Sequence, residues 1–297
     1  VYERYFKFSS KPFAMNPDPA FLYQSSQHAA AATMMDYAIE SQAPFCLLTG
    51  EIGSGKTTLL RHFLRKLDDK LSVGLINNTH RGFRSIYPWA LSALAIVPSD
   101  DSDIAMYEAL TDFFVREYAR GRRTLLVFDE AHNLSLPVLE ELRLLSNVNS
   151  ESDLALQVLL VGQPELRANL QRPELEQFAQ RVSVDFHLGP LSYNDTRSYI
   201  QHRLRVVGGN PALFHFEAIA FVYARTMGIP RLINQLCDLA LVYAYADQRS
   251  SIDLKLLQYV LRDRQQRGAM PLFGGGPALP GAPSPPALNP GVGSERG

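Results

Sequence analysis

Three stretches of this chain are apolar almost without interruption: Pro44-Phe45-Cys46-Leu47-Leu48-Thr49, Thr124-Leu125-Leu126-Val127-Phe128 and Leu156-Gln157-Val158-Leu159-Leu160-Val161-Gly162. A strand with no polar alternation is covered on both faces, which predicts a parallel sheet between helical layers. Leu71 to Asn77 reads as a further strand, and Val182 to Leu188 alternates, as the last strand of a sheet does. Between the strands, apolar spacing near 3.6 predicts helices over 26–40, 59–67, 84–97, 104–118, 134–147 and 164–180, with Ser25 or Ser26 capping the first. Pro190-Leu191-Ser192 marks a boundary. Beyond it the pattern is helical only, over 195–207, 216–225, 231–246 and 254–265. From Gly268 onward glycine, proline and alanine dominate, too little apolar surface to order a chain. The expectation is an α/β domain over 1–190, an all-helical domain over 191–267 and a disordered tail over 268–297.

Composition alters this picture little. The chain has 297 residues, 46% hydrophobic and 20% charged, with a net charge of −1, so no global field drives it onto nucleic acid or an acidic membrane. Cys46 and Cys237 have no partners at metal-ligand spacing and read as reduced core residues. The first residues lack the pattern of a signal peptide, and no apolar run approaches the ~20 residues of a membrane helix. Cytoplasm is the expected compartment, with recruitment to a membrane complex left open.

The chemistry is concentrated after the first apolar run. Gly50-Glu51-Ile52-Gly53-Ser54-Gly55-Lys56-Thr57-Thr58 joins a predicted strand to a predicted helix, the context in which G-x-x-x-x-G-K-[ST] binds a nucleoside triphosphate. The glycines let successive backbone N–H groups point at phosphate oxygens, and the helix adds its positive N-terminal end. Lys56 supplies a point charge for the β- and γ-phosphates, and the Thr57 hydroxyl is placed for Mg²⁺. Asp129 and Glu130 end the apolar run 124–128. Asp129 would hold the same ion, and Glu130 would polarise the attacking water as general base.

Four further residues extend this set. Gln163, after the strand ending at Gly162, lies where such sheets bind ligands and could orient the water or sense the γ-phosphate. Arg181, before the last strand, could reach a neighbouring subunit's phosphate, the alternative being a surface ion pair. Arg231, after Gly228-Ile229-Pro230, opens a helix, where a cation is disfavoured unless it has other work. His28 could touch the base, but a capping or surface role is the plainer reading. The aromatic residues of the N-terminal arm (Phe6, Phe8, Phe13, Phe21, Tyr23) should pack on the domain beside the nucleotide base, with Lys11-Pro12-Phe13 and Asn16-Pro17-Asp18-Pro19 as turns. Asp129-Glu130-Ala131-His132 also spells a helicase box, but a helicase needs a second motor domain and this chain has only helices there.

Strand, phosphate loop, Asp-Glu strand end, Gln163, Arg181 and Gly-Ile-Pro-Arg together resemble an AAA+ ATPase, a P-loop NTPase of the ASCE type. More narrowly, Tyr5-Phe6, Lys11-Pro12-Phe13, Phe21-Leu22, His28, Val161-Gly162-Gln163-Pro164-Glu165-Leu166, Gln180-Arg181, Leu188-Gly189-Pro190-Leu191 and Gly228-Ile229-Pro230-Arg231-Leu232-Ile233-Asn234 resemble the ExeA/GspA group of export-locus ATPases. The resemblance implies ATP and Mg²⁺ as cofactors. It makes Lys56 and Thr57 the Walker A pair, Asp129 and Glu130 the Walker B acids, Gln163 sensor 1, Arg181 an arginine finger acting in trans, and Arg231 sensor 2 in a helical lid. It further implies a ring or filament of identical subunits and a protein partner in type II secretion, pilus or exopolysaccharide export. Full-length secretion members carry a membrane helix and a peptidoglycan-binding domain after the ATPase; here a Gly/Pro tail follows, as in the short soluble members. The same core resembles TniB-type transposition ATPases, so a DNA-transaction ATPase stands as the alternative, and a slow nucleotide-binding scaffold as a third reading.

Overall fold

The computed structural model describes residues 1–15, 19–77, 84–150 and 153–266. The turn expected at 16–18 and the tail from 268 lie outside the described residues. Five strands form one sheet: β1 (Phe45–Gly50), β2 (Leu71–Ile76), β3 (Arg123–Phe128), β4 (Leu156–Gly162) and β5 (Val182–Leu188). All pairings are parallel, in the spatial order β2-β3-β4-β1-β5. β1, which feeds the phosphate loop, and β3, which feeds Asp129, therefore flank β4, so the ends of all three strands open onto one edge.

Both faces of the central strands are covered, so alternate residues point into two apolar layers and few polar positions remain. Phe45, Leu47, Leu126, Phe128, Val158 and Leu160 face one helical layer. Cys46, Leu48, Leu125, Val127, Leu159 and Val161 face the other. The first layer holds α4 (Tyr87–Ala93), α5 (Asp103–Ala119), α6 (Leu136–Leu145), α7 (Pro164–Leu170) and α8 (Glu176–Ala179). The second holds α2 (Ser26–Glu40) and α3 (Lys56–Leu64). β5 pairs only with β1, and it buries just Val184 and Leu188 fully, which is why it alone alternates. Both cysteines are free and buried, and burial pushes the Cys46 thiol up to about 12.

Two expected helices are shorter or broken. The reading 84–97 reduces to Tyr87–Ala93, and 164–180 divides into α7, a 3-10 turn at Pro173–Leu175 and α8, because Pro173 cannot continue the hydrogen-bond ladder. The helical domain follows as α9 (Tyr193–Val206), α10 (Phe216–Thr226), α11 (Pro230–Ala246) and α12 (Leu254–Gln266). The N-terminal arm departs from expectation. It contains a short helix, α1 (Tyr2–Phe6), and it packs in the core of the helical domain. Tyr2, Phe8 and Phe13 are buried with Ile200, Leu204, Leu236 and Leu256 rather than against the sheet. No helix among the described residues is long and apolar enough to cross a membrane.

Candidate active site

The loop after β1 turns back on itself and starts α3 at Lys56. Gly55 precedes the helix at φ 103, and Gly53 sits at φ 81. A Cβ on Gly53 would lie 2.3 Å from the Cβ of Arg231, so glycine there serves both the turn and the approach of Arg231 at the start of α11. Lys56 is 7% exposed, and its Nζ donates to the carbonyls of Gly50 (2.7 Å) and Glu51 (2.9 Å). Burial lowers its pKa, against the opposing pull of Glu130, Asp129 and Glu51.

One hydrogen bond ties the two halves of the motif together. The Thr57 hydroxyl donates to Asp129 Oδ2 at 3.0 Å, while Asp129 Oδ1 accepts the Glu130 N–H at 2.9 Å. Asp129 is buried, and desolvation raises its pKa against the hydrogen bonds from Thr57 and Glu130. A hydroxyl and a carboxylate at this distance are hard oxygen donors suited to Mg²⁺, which takes one or two protein ligands and completes its shell with water and phosphate. No cluster of three or more His, Cys, Asp or Glu residues able to hold a metal occurs among the described residues. The Thr57 hydroxyl and Asp129 carboxylate thus fit an ion whose remaining ligands come from a nucleotide and water.

A cleft of about 600 Å³ gathers most of the expected residues. Ile52, Gly53, Ser54, Gly55, Lys56, Thr57 and Thr58 line it, joined by Glu130, Gln163 and Arg231. Glu130 adopts a left-handed backbone (φ 60), uncommon for a non-glycine residue. Gln163 follows β4 and precedes α7. The Arg231 N–H donates to the Gly53 carbonyl at 3.2 Å, so the start of α11 rests on the phosphate loop, while its side chain is exposed. Arg181 does not line this cleft. Its guanidinium donates to the Arg143 carbonyl (3.1 Å), Ser146 Oγ (2.5 Å) and Asn147 Oδ1 (2.9 Å), at the end of α6.

His28 is buried, not at the surface, and it does take part in capping. Ser25 Oγ accepts the His28 N–H (3.3 Å) and lies 2.8 Å from Nδ1. The ring also bonds the Ser54 backbone, borders Gly55 and lines the cleft, so α2 braces the phosphate loop on the ligand side. Burial lowers the His28 pKa, against the Ser54 hydrogen bond and Asp195, which raise it.

The far wall contains residues that sequence reasoning missed. Tyr199, Arg203 and Asn234 come from the helical domain and face Met15, Phe21 and Tyr23 of the arm. Arg203 is buried: it donates to the Tyr199 hydroxyl (2.7 Å) and to the carbonyls of Pro12 and Ala14 (3.1 Å for the latter), and it stacks 4.7 Å over Phe21. Tyr199 in turn donates to Asn234 Oδ1 (2.9 Å). The partners of Arg203 lie 189 and 191 residues earlier, so no local spacing announces the contact.

Residues 39–170 match the family described as AAA domain. That stretch holds the phosphate loop, β1 to β4 and the Asp129–Glu130 strand end. The chain as a whole is similar to General secretion pathway protein A of Aeromonas hydrophila, at 35% identity over 272 residues, 90% of this chain and 50% of that protein. It therefore spans half the length of that relative. In fold, the chain is similar to the Aeropyrum pernix ORC2 protein solved as ADPNP-ADP complexes, with a TM-score of 0.61 at 15% identity, covering 86% of this chain and 72% of that one. The Aeropyrum pernix ORC1 protein in complex with DNA gives 0.60 at 18% identity, covering 87% and 71%. These likenesses agree with the P-loop architecture, the parallel sheet and the helical C-terminal region expected from the sequence.

Proposed function

We propose that the chain is a Mg²⁺-dependent ATP hydrolase. The observation that carries this reading is the Thr57–Asp129 hydrogen bond, which joins the buried Asp129 carboxylate to a cleft lined by Lys56, Thr57, Glu130 and Gln163. Lys56 exchanges its two carbonyl acceptors for β- and γ-phosphate oxygens, and the loop N–H groups from Gly50 to Thr58 hold the rest of the phosphate chain. Thr57 and Asp129 would hold Mg²⁺, and the chemistry it would supply is neutralisation of charge on the phosphates. Glu130 draws the proton from the attacking water, and Gln163 orients that water against the γ-phosphate. Arg231 reaches the nucleotide from the lid, and Arg181 completes the site of a neighbouring subunit in a ring or filament.

The test is steady-state hydrolysis with and without Mg²⁺, beside nucleotide titrations. Lys56→Ala is expected to lose tight ATP binding with the fold intact. Glu130→Gln should keep binding and lower kcat by about 10²–10⁴; a rate equal to wild type would leave the slow scaffold as the better description.

The similarity to General secretion pathway protein A supports placing the hydrolysis cycle as a switch on a protein partner of an envelope-export machine, with the enzyme in the cytoplasm. DNA is the second reading, supported by fold likeness to a protein solved on DNA and opposed by a net charge of −1. Duplex DNA that stimulates hydrolysis at low salt, with the stimulation collapsing as salt rises, would favour it.

A further inference from the structure

Asn234 ends the run Gly228-Ile229-Pro230-Arg231-Leu232-Ile233-Asn234, and none of the roles above uses it. It follows Arg231 by three residues in α11, so the two side chains share one face of the helix, and both line the cleft. Arg231 meets the phosphate loop through its N–H to the Gly53 carbonyl. Asn234, one turn on and 7% exposed, meets Tyr199 instead.

The hydrogen-bond chain fixes which way the Asn234 carboxamide points. Guanidinium nitrogens only donate, so the Tyr199 hydroxyl accepts from Arg203 Nη1 at 2.7 Å. Its single proton then goes to Asn234, and the atom that receives it, 2.9 Å away, is Oδ1. Arg203 is pinned in turn by the carbonyls of Pro12 and Ala14, so the chain runs unbroken from the N-terminal arm to α11. Nδ2 lies at the other end of the amide. It has no partner among the described residues and is not one of their sealed, unpartnered side-chain atoms, so its N–H groups open on the cleft. A half-satisfied amide in a nearly enclosed site favours a ligand that brings an acceptor.

The surroundings select the part of a nucleotide that meets these N–H groups. Arg203 stacks over Phe21, and the Tyr23 ring meets Tyr199 edge-on at 6.1 Å, so flat aromatic residues of the arm adjoin the Asn234 chain. A planar base suits such walls, while Lys56 and the loop N–H groups take the anionic end. We propose that Asn234 is a specificity-determining residue that donates from Nδ2 to a ring nitrogen of the adenine base, with its orientation set by Tyr199 and Arg203. This rests on the reading of the cleft as an ATP site. The ring nitrogens of adenine accept and its exocyclic amino group donates, so only the former complement a donor.

Titrations with ADP, which bring no hydrolysis into the measurement, test this on the full chain. The proteins are wild type, Asn234→Asp, Tyr199→Phe and Lys56→Ala. The ligands are ADP, its 1-deaza, 3-deaza and 7-deaza analogues, each with one ring nitrogen replaced by CH, and 2′-deoxy-ADP. Asn234→Asp keeps an acceptor for the Tyr199 proton and removes the donor, so ADP should bind about tenfold more weakly. One deaza analogue should bind wild type about tenfold more weakly than ADP, yet bind Asn234→Asp no worse than ADP does, because both changes remove the same contact. Tyr199→Phe lets the amide turn and should blunt that same discrimination; it is the deciding variant if Asn234→Asp fails to fold. Deaza penalties that are equal in wild type and variants overturn the inference, since a merely structural Asn234 would weaken every ligand alike. Coupling confined to 2′-deoxy-ADP overturns it too, by moving the contact to the ribose. Either result, with ADP bound by wild type and lost in Lys56→Ala, leaves the nucleotide site standing. Wild type that binds no ADP overturns that site and this inference together.

Discussion

Asp129 opposes the fold it serves. Burial raises its pKa, so at neutral pH the native state holds a charge that it disfavours relative to the unfolded chain. By linkage, this penalty is present above the raised native pKa and is relieved as pH falls through that value to the ordinary carboxylate range. Asp129→Asn keeps its amide oxygen as acceptor for the Glu130 N–H and can donate from its NH₂ to the Thr57 hydroxyl, which rotates to accept. It is therefore expected to raise the Tm of the nucleotide-free protein at neutral pH, by an amount that shrinks in acidic buffer, while abolishing Mg²⁺-dependent hydrolysis. Thermal melts across a pH series check the sign, and a Tm unchanged or lowered at neutral pH would place the carboxylate among the stabilising groups. Gly53→Ala is the complementary case. Its φ of 81 and the 2.3 Å approach of Arg231 Cβ leave no room for a methyl group, so ATP affinity should fall as the loop and the lid are forced apart. Titration calorimetry would show this.

At the scale of elements, the N-terminal arm and the lid act as one packed unit. Phe13 is fully buried and meets Phe214 edge-to-face at 5.9 Å, within the lid's own core. Phe13→Ala should lower unfolding stability by roughly 3–5 kcal/mol, as loss of a buried aromatic ring does. Arg203→Met should lower it by roughly 2–3 kcal/mol by leaving buried carbonyls of Pro12 and Ala14 without a donor. Denaturant melts measure both, and near-neutral values would show the arm to be merely draped on the lid. These are the contacts that sequence reading could not reach. The phosphate loop and the Asp-Glu strand end were legible because their chemistry is written in nine and two consecutive residues. The buried strands were legible because continuous apolar runs have one plain explanation. α1 escaped because five residues are too few to display a period. The order β2-β3-β4-β1-β5 escaped because strand neighbours are chosen by tertiary packing, and no strand carries a mark of its partner.

For the whole molecule, the open question is what completes the site. Arg181 stands outside its own cleft and is held by the end of α6, an arrangement that presents a fixed guanidinium at a surface rather than to its own nucleotide. In the proposed assembly Arg181→Ala keeps ATP binding and loses hydrolysis by about 10³ or more, and mixing it with Glu130→Gln restores part of the rate at interfaces that pair one good half from each. Mixtures that stay inactive while assembled, or a large fall in Tm for Arg181→Ala alone, would assign the residue to holding α6 against β5.

Measuring such assemblies calls for probes, and the two thiols bear on that. Cys46 lies inside the sheet layer and Cys237 inside the lid core, and burial holds both well above the range in which a thiolate forms. Alkylating dyes should pass over the native protein and react only once it unfolds. A single cysteine introduced at exposed Met227 can then carry a fluorophore without first stripping the chain of its own sulfur, and any movement of α10 and α11 on nucleotide binding becomes readable as light.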